Sequence, residues 1–216
     1  MALADGYIAR KLLITALAII WGVRLAAHIF GRNREKGEDF RYRAMRARHG
    51  DRFPVVSLFT VFFLQGALMW IISLPLQVAQ LSREPGRLIW LDYIGAAIWA
   101  LGFLFESVGD WQLARFKSDS DNKGKVMDRG LWAYTRHPNY FGDATLWWGF
   151  FLIALATPGG IWTVVSPVIM TFLLMKVSGV ALLEKTLLKT RPEYGDYARR
   201  TNAFFPWLPK READRQ

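Results

Sequence analysis

Between Leu131 and Gly142 the chain sets Tyr134, Arg136, His137, Asn139 and Tyr140, with Asp143 just beyond, at the start of a long apolar run. Together they offer a guanidinium for phosphates or carboxylates, an imidazole, a carboxamide, phenols and a carboxylate, which is equipment for holding a polar ligand. An ionisable side chain in hydrocarbon costs about 2.5–3.5 kcal/mol, so a cluster of them at the end of a span marks a candidate binding site. Glu106 and Asp110 stand four residues apart near the end of another apolar run, as do Arg24 and His28, so each pair shares a helical face. If a helix begins near Pro138, Arg136, Asn139 and Asp143 also fall on one face, at spacings of three and four.

The elements that carry these groups are apolar runs of membrane-crossing length. Of the 216 residues, 52% are hydrophobic, with ten Trp and fifteen Phe, too apolar for a soluble domain of this size. The runs lie near residues 12–30, 55–78, 88–108, 140–156 and 161–183, each close to the ~20 residues a helix needs to cross hydrocarbon. Unbroken apolar character over such lengths excludes strands of period two, and the chain reads as one all-α, polytopic transmembrane helical bundle of about five spans. Pro75 and Pro167 fall within runs, where each could kink its helix.

The charge pattern gives an orientation. Of 28 Lys and Arg, 22 fall in residues 31–52, 110–139 and 183–216, whereas residues 80–87 hold two and 157–160 none. With five spans the three basic segments lie on one side, read as cytoplasmic loops 31–52 and 110–139 and a cytoplasmic tail 184–216, with the N-terminus outside. Arg10 and Lys11 oppose this assignment from the outer side without reversing it. The apolar stretch after them continues past Arg24 to Phe30 and reads as an anchor rather than a cleaved leader.

Several function classes drop out. Without cysteine there is no disulfide, thiolate nucleophile or thiolate metal site, and three scattered His give no metal-ligand spacing. The net charge of +10 is divided among loops between spans, a topology signal rather than a nucleic-acid surface. No glycine-rich phosphate loop is present, so the cations of residues 115–130 would have to bind any nucleotide by side chains. Arg24, Lys176 and Lys185 are as well explained by snorkelling to headgroups, and His28 and His49 as interfacial groups. That explanation suits Glu106 and Asp143 less, because short carboxylate side chains sit there against apolar helix.

The run Gly130, Leu131, Trp132, Tyr134, Thr135, Arg136, His137, Pro138, Asn139, Tyr140, Phe141, Gly142, Asp143 resembles the bacterial steroid 5-alpha-reductase-like membrane family. Further matches are Trp21 to Arg24, Arg32, Asn33 and Lys36 to Asp39, Phe63 to Gln65, Glu106 with Asp110 to Leu113, Ser178, Gly179, Glu184, Lys185 and Arg191 to Pro206. The wider superfamily includes sterol reductases and isoprenylcysteine carboxyl methyltransferases.

The resemblance implies an enzyme of the bacterial inner membrane that takes NADPH from the cytoplasm and reduces an activated C=C bond in a hydrophobic, lipid-like substrate. By similarity Glu106, Asp110, Lys117, Tyr134, Arg136, His137, Asn139, Asp143 and Glu184 contact the cofactor. It also implies that the chain starts at the family's third span, so no residue is assigned as the catalytic acid. Two alternatives stand beside it: an S-adenosylmethionine-dependent methyltransferase of a lipid-borne carboxylate, and a non-catalytic bundle whose basic loops attract membrane lipids.

Overall fold

The computed structural model describes residues 6–34, 37–177, 180–191 and 193–210. Lys36, Ser178, Gly179 and the side chain of Lys185 lie outside the described residues. All regular structure among the described residues is helical. α1 (Ile8–Asn33) is followed by the short basic α2 (Phe40–His49). α3 (Phe53–Ser57) and α4 (Leu64–Ile72) are joined through one π-helical segment, Leu58–Phe63, into a continuous run. α5 (Leu74–Leu81), α6 (Trp90–Ser118), α7 (Pro138–Leu155), α8 (Val165–Phe172), α9 (Val180–Thr190) and α10 (Tyr194–Arg200) complete the chain.

Four helical runs are long and apolar enough to cross a membrane: Ile8–Asn33, Arg41–Ile72, Trp90–Ser118 and Gly160–Val177. In the first two only 6% of the apolar window is buried, which leaves a surface suited to lipid rather than water. The fourth sequence-read run, 140–156, lies in α7, whose polar first turns keep it out of that set. α7 is nevertheless the centre of the bundle, touching α1, α5, α6 and α8. It doubles back along α6 from Gly109, beside Pro138, to Gly95, beside Ile153, shielded by its neighbours. A helix walled in by protein needs no uniformly apolar surface.

Three other boundaries differ from the sequence reading. The run expected to reach residue 78 stops at Ile72. The Ser73 hydroxyl donates to the Trp70 carbonyl at 2.9 Å, and Pro75, which has no N–H to continue the ladder, begins α5. α6 does not end near residue 108 but continues to Ser118, so the start of the segment read as loop is helix. The basic tail likewise folds into α9 and α10.

Two features fix the bundle. The first is a heptad of glycines, Gly95, Gly102 and Gly109 on α6, facing Gly142 and Gly149 on α7. A Cβ at Gly149 would lie 2.6 Å from the Trp99 backbone nitrogen, and one at Gly102 or Gly142 would collide with the Leu146 or Glu106 backbone. Small residues at this spacing let backbones touch, which is how membrane helices associate without a hydrophobic driving force between them.

The second feature is a pair of acid–arginine contacts that lock α1 parallel to α6. Arg10 Nε and Nη2 grip the Asp92 carboxylate at 2.8 and 3.1 Å, both side chains fully buried, and Arg10 also donates to the Arg87 carbonyl at 2.9 Å. Arg24 and Glu106 repeat the contact at the same sequence separation of 82 residues. The two pairs stand 14 residues apart, about 21 Å at 1.5 Å per residue. Arg10 is therefore a buried structural charge and not a loop cation.

Gly102→Leu should lower the Tm of the detergent-purified protein by an amount corresponding to about 1–3 kcal/mol of overpacking. Gly22→Ala, where a Cβ meets nothing within 4 Å, should leave the Tm unchanged or slightly raised. Asp92→Leu, which strands the Arg10 charge, should cost about 3–5 kcal/mol, measured by the same melt.

Candidate functional site

The end of the bundle where α6 leaves the apolar zone gathers the polar side chains of three helices. Arg24 of α1 lies between two carboxylates of α6: its Nη1 donates to Glu106 Oε1 at 2.6 Å and its Nη2 to Asp110 Oδ2 at 2.5 Å and the Glu106 carbonyl at 2.9 Å. Trp21, one helical turn before Arg24, donates its indole N–H to Glu106 Oε2 at 3.1 Å. From α7, Asn139 donates to the free oxygen of Asp110 at 3.0 Å. Glu106 and Asp110 are buried, at 4% and 7% exposure, so the network is interior and not a solvated face.

Asp143, one turn further along α7, lies within electrostatic reach of Glu106, Arg24 and Asp110. It is buried, and the Trp147 indole N–H, four residues on and buried beside it, is the donor that acts on it, in a geometry short of a regular hydrogen bond. The positions follow from the glycines: Gly109 packs on Asn139 and Gly142 on Glu106, which sets Asn139 beside Asp110 and Asp143 beside Glu106. His28 Nε2 stands 3.6 Å from Asp110 Oδ2, and Arg32 and Lys117 act electrostatically on the same imidazole, forming a cationic rim. The core cluster carries three carboxylates to one guanidinium.

Arg136, His137 and Glu184 form a second cluster. Arg136 binds Glu184 through two parallel bonds, Nε to Oε1 at 2.7 Å and Nη2 to Oε2 at 2.9 Å, and its Nη1 donates to the carbonyls of Ala198 and Thr201, both at 2.6 Å. Four of its five N–H donors are thus engaged. His137 Nε2 lies 3.2 Å from Glu184 Oε1, and its ring stacks on Tyr140 at 5.4 Å. Around this clasp Thr135 donates to the Phe204 carbonyl at 2.8 Å, the Tyr197 hydroxyl to the Trp132 carbonyl at 2.6 Å and the Trp207 N–H to the Tyr134 carbonyl at 2.9 Å.

The structure therefore divides the residues proposed from sequence. Glu106, Asp110, Asn139 and Asp143 converge, with Lys117 toward their rim. Arg136, His137 and Glu184 instead fasten the C-terminal segment, and Tyr134 faces an apolar groove on another side. The expectation that Arg136 shares a face with Asn139 and Asp143 fails because the helix starts at Pro138, leaving Arg136 before it in a turn aimed at the tail. Arg24 does not snorkel; it is the central cation of the first cluster, and Trp21 joins it. The spacings Trp21, Arg24 and His28 on one helical face are the signal that pointed there.

Burial pushes the Glu184 carboxyl up, but hydrogen bonds from His137 and Arg136 and their charges outweigh it, holding the group down at about 2. A carboxylate depressed on folding stabilises the fold above its unfolded value, and that contribution disappears as pH falls through the folded value. In acid titrations of the melt, stability supplied by this clasp should be intact above about pH 4.5, decline toward pH 2, and be missing from Glu184→Gln. Arg136→Lys, which cannot make the two-pronged contact, should expose residues 193–210 to limited proteolysis while leaving α6 and α7 resistant.

The profile of a family described as a protein of unknown function, DUF1295, matches residues 1–201. An uncharacterized protein of the yeast Schizosaccharomyces pombe is 25% identical over 229 residues, an alignment covering 92% of this chain and 64% of that protein. The chain spans under two thirds of the length of this relative. No solved structure matches. With a single family profile running from its first helix through α10, the chain belongs to the DUF1295 family.

Proposed function

We propose that this integral membrane protein is an NADPH-dependent reductase of an activated C=C bond in a steroid-like or other lipid enone. Its cofactor site is the Arg24 cluster, at the end of the bundle that the basic loops assign to the cytoplasm. The observation that carries the reading is the convergence of Glu106, Asp110, Asn139 and Asp143 around Arg24, with Asp143 served only by the poorly aligned Trp147 indole N–H. A fixed acceptor at the edge of an apolar interior suits a ribose hydroxyl or a carboxamide N–H, the donors a dinucleotide brings.

Arg32 and Lys117, whose charges act on His28 beside Asp110, would meet its phosphates. Arg136, His137 and Glu184 support the site through the tail they hold, not by direct contact. When bound, NADPH supplies a hydride; the chain's own residues bind, orient and exclude water around it. Arg24 fixes both α6 carboxylates, Asn139 sets the second Asp110 oxygen, and Trp99, Trp147 and Phe150 form the dry wall beneath. The resemblance of residues 130–143 to the steroid 5-alpha-reductase-like family supports the choice of reaction.

One observation favours a second reading. Three carboxylates around a single guanidinium suit the sulfonium cation of S-adenosylmethionine, as in a methyltransferase of a lipid or isoprenyl carboxylate.

A melt of the purified protein separates the readings. At a hundredfold excess over Kd, NADPH should stabilise the wild type by about 2.7 kcal/mol. Asp143→Leu and Asp143→Asn should lose that stabilisation while melting normally without ligand. No response to NADPH in the wild type, or an undiminished one in both variants, would reject the reductase site, and a response to S-adenosylmethionine alone would establish the second reading.

A further inference from the structure

α6 has a second decorated face. At 100° per residue Glu106, Asp110 and Lys117 fall within about 40° of one another, whereas Leu101, Leu104, Val108, Trp111 and Arg115 line the opposite side. On that side lies a pocket of about 330 Å³ with mixed polar and apolar lining, bordered by Trp111, Arg115, Asp119 and Arg129. Next to it is an apolar groove of about 490 Å³ bordered by Phe105, Leu131, Trp207 and Leu208. They are lined by neighbouring residues, Gly130 in the pocket and Leu131 in the groove. A compartment bearing two arginines near an apolar one suits an amphiphile.

We propose that these compartments bind one anionic membrane phospholipid, its phosphate between Arg115 and Arg129 and an acyl chain in the groove against Phe105, Leu131, Trp207 and Leu208. Three observations support that occupant. The first is depth. Trp90 and Trp111, both well exposed at 66% and 58%, stand 21 residues apart on α6. That is about 32 Å at 1.5 Å per residue, close to the ~30 Å of bilayer hydrocarbon. Tryptophans favour the two interfaces, so Arg115, one turn beyond Trp111, stands in the phosphate layer.

The second observation is charge. Among the described residues no carboxylate pairs with Arg115 or Arg129, and the Arg115 guanidinium lies 5.6 Å from the centre of the Trp111 ring. Asp119 also borders the pocket, but its two oxygens accept from the Asp121 N–H at 2.9 Å and from Asn122 Nδ2 at 3.2 Å. Two guanidiniums without a carboxylate partner against one acid leave the pocket net positive, which favours an anionic headgroup over a zwitterionic one.

The third is construction. Gly130 takes φ +61°, and a Cβ there would strike the Gln112 side chain, whose Oε1 accepts the Leu131 N–H at 3.0 Å. Arg129 and Leu131 are thereby held on either side of one fixed turn. Free phosphate or a soluble phosphate ester would use the pocket but leave the groove empty.

The test uses the full chain in neutral detergent, titrated with phosphatidylglycerol, phosphatidylcholine and inorganic phosphate, read by Tm and by lipid retained in native mass spectrometry. Phosphatidylglycerol should raise the Tm and remain as a one-to-one adduct, with at least tenfold weaker binding to the double variant Arg115→Ala, Arg129→Ala. Leu208→Glu, at a wall position 74% exposed, should weaken lipid binding comparably and keeps the test open if the arginine variant folds poorly. Equal binding of phosphatidylcholine, undiminished binding by the variants, or a Tm shift reproduced by inorganic phosphate would overturn the proposal. The outcome is independent of the NADPH response, which belongs to the opposite face of α6.

Discussion

Backbone contact between α6 and α7 is the constraint from which the rest of the architecture follows. Five glycines remove every Cβ along one seam, so the two helices approach until the backbone of one touches the other. Such a contact is intolerant of sliding, since a shift of even one residue would set a side chain against backbone. It therefore fixes axial register as well as distance. Asn139 comes to rest beside Asp110 and Asp143 beside Glu106 for this reason alone. The polar cluster is a consequence of a packing interface whose closest approaches are all at glycine.

α1 is held against this pair by a different force. In an apolar surrounding an unpaired arginine or carboxylate is costly, and the two acid–arginine contacts at equal separation leave α1 one favourable height beside α6. At the Asp92 end the pair is sealed and matched one to one, with both carboxylate oxygens and the guanidinium occupied. At the other end one arginine serves two acids, with a third acid nearby. The same device is matched one to one at one end of the bundle and carries surplus acid at the other.

The chain also separates holding from binding within a few residues of sequence. Thr135, Arg136 and His137 face the tail and bind it through carbonyls and Glu184, while Asn139, two residues later, faces the carboxylates of α6. Pro138 accounts for the division: it starts α7 with its fixed φ, and residues before it leave the helical face. The tail thus closes over the turn that launches α7, and its aromatic end supplies one wall of the apolar groove on the far side of α6.

The sequence by itself determined the class of molecule. Long apolar runs leave only helices as a way to satisfy the backbone in lipid. It also marked Glu106, Asp110, Asn139 and Asp143, because short acidic and amide side chains near span ends are costly unless they have partners. What it left open was which partner each would find. Helical spacing shows that Arg136 lies three residues before Asn139, but not that the helix starts between them. It shows Arg24 near a span end, but not that α1 is turned toward α6 rather than toward headgroups. In a membrane the apolar faces of helices look alike to lipid and to one another, so hydropathy carries little information about rotation or neighbour. Those were decided only in the tertiary structure, by where glycines allow contact and where buried charges must meet.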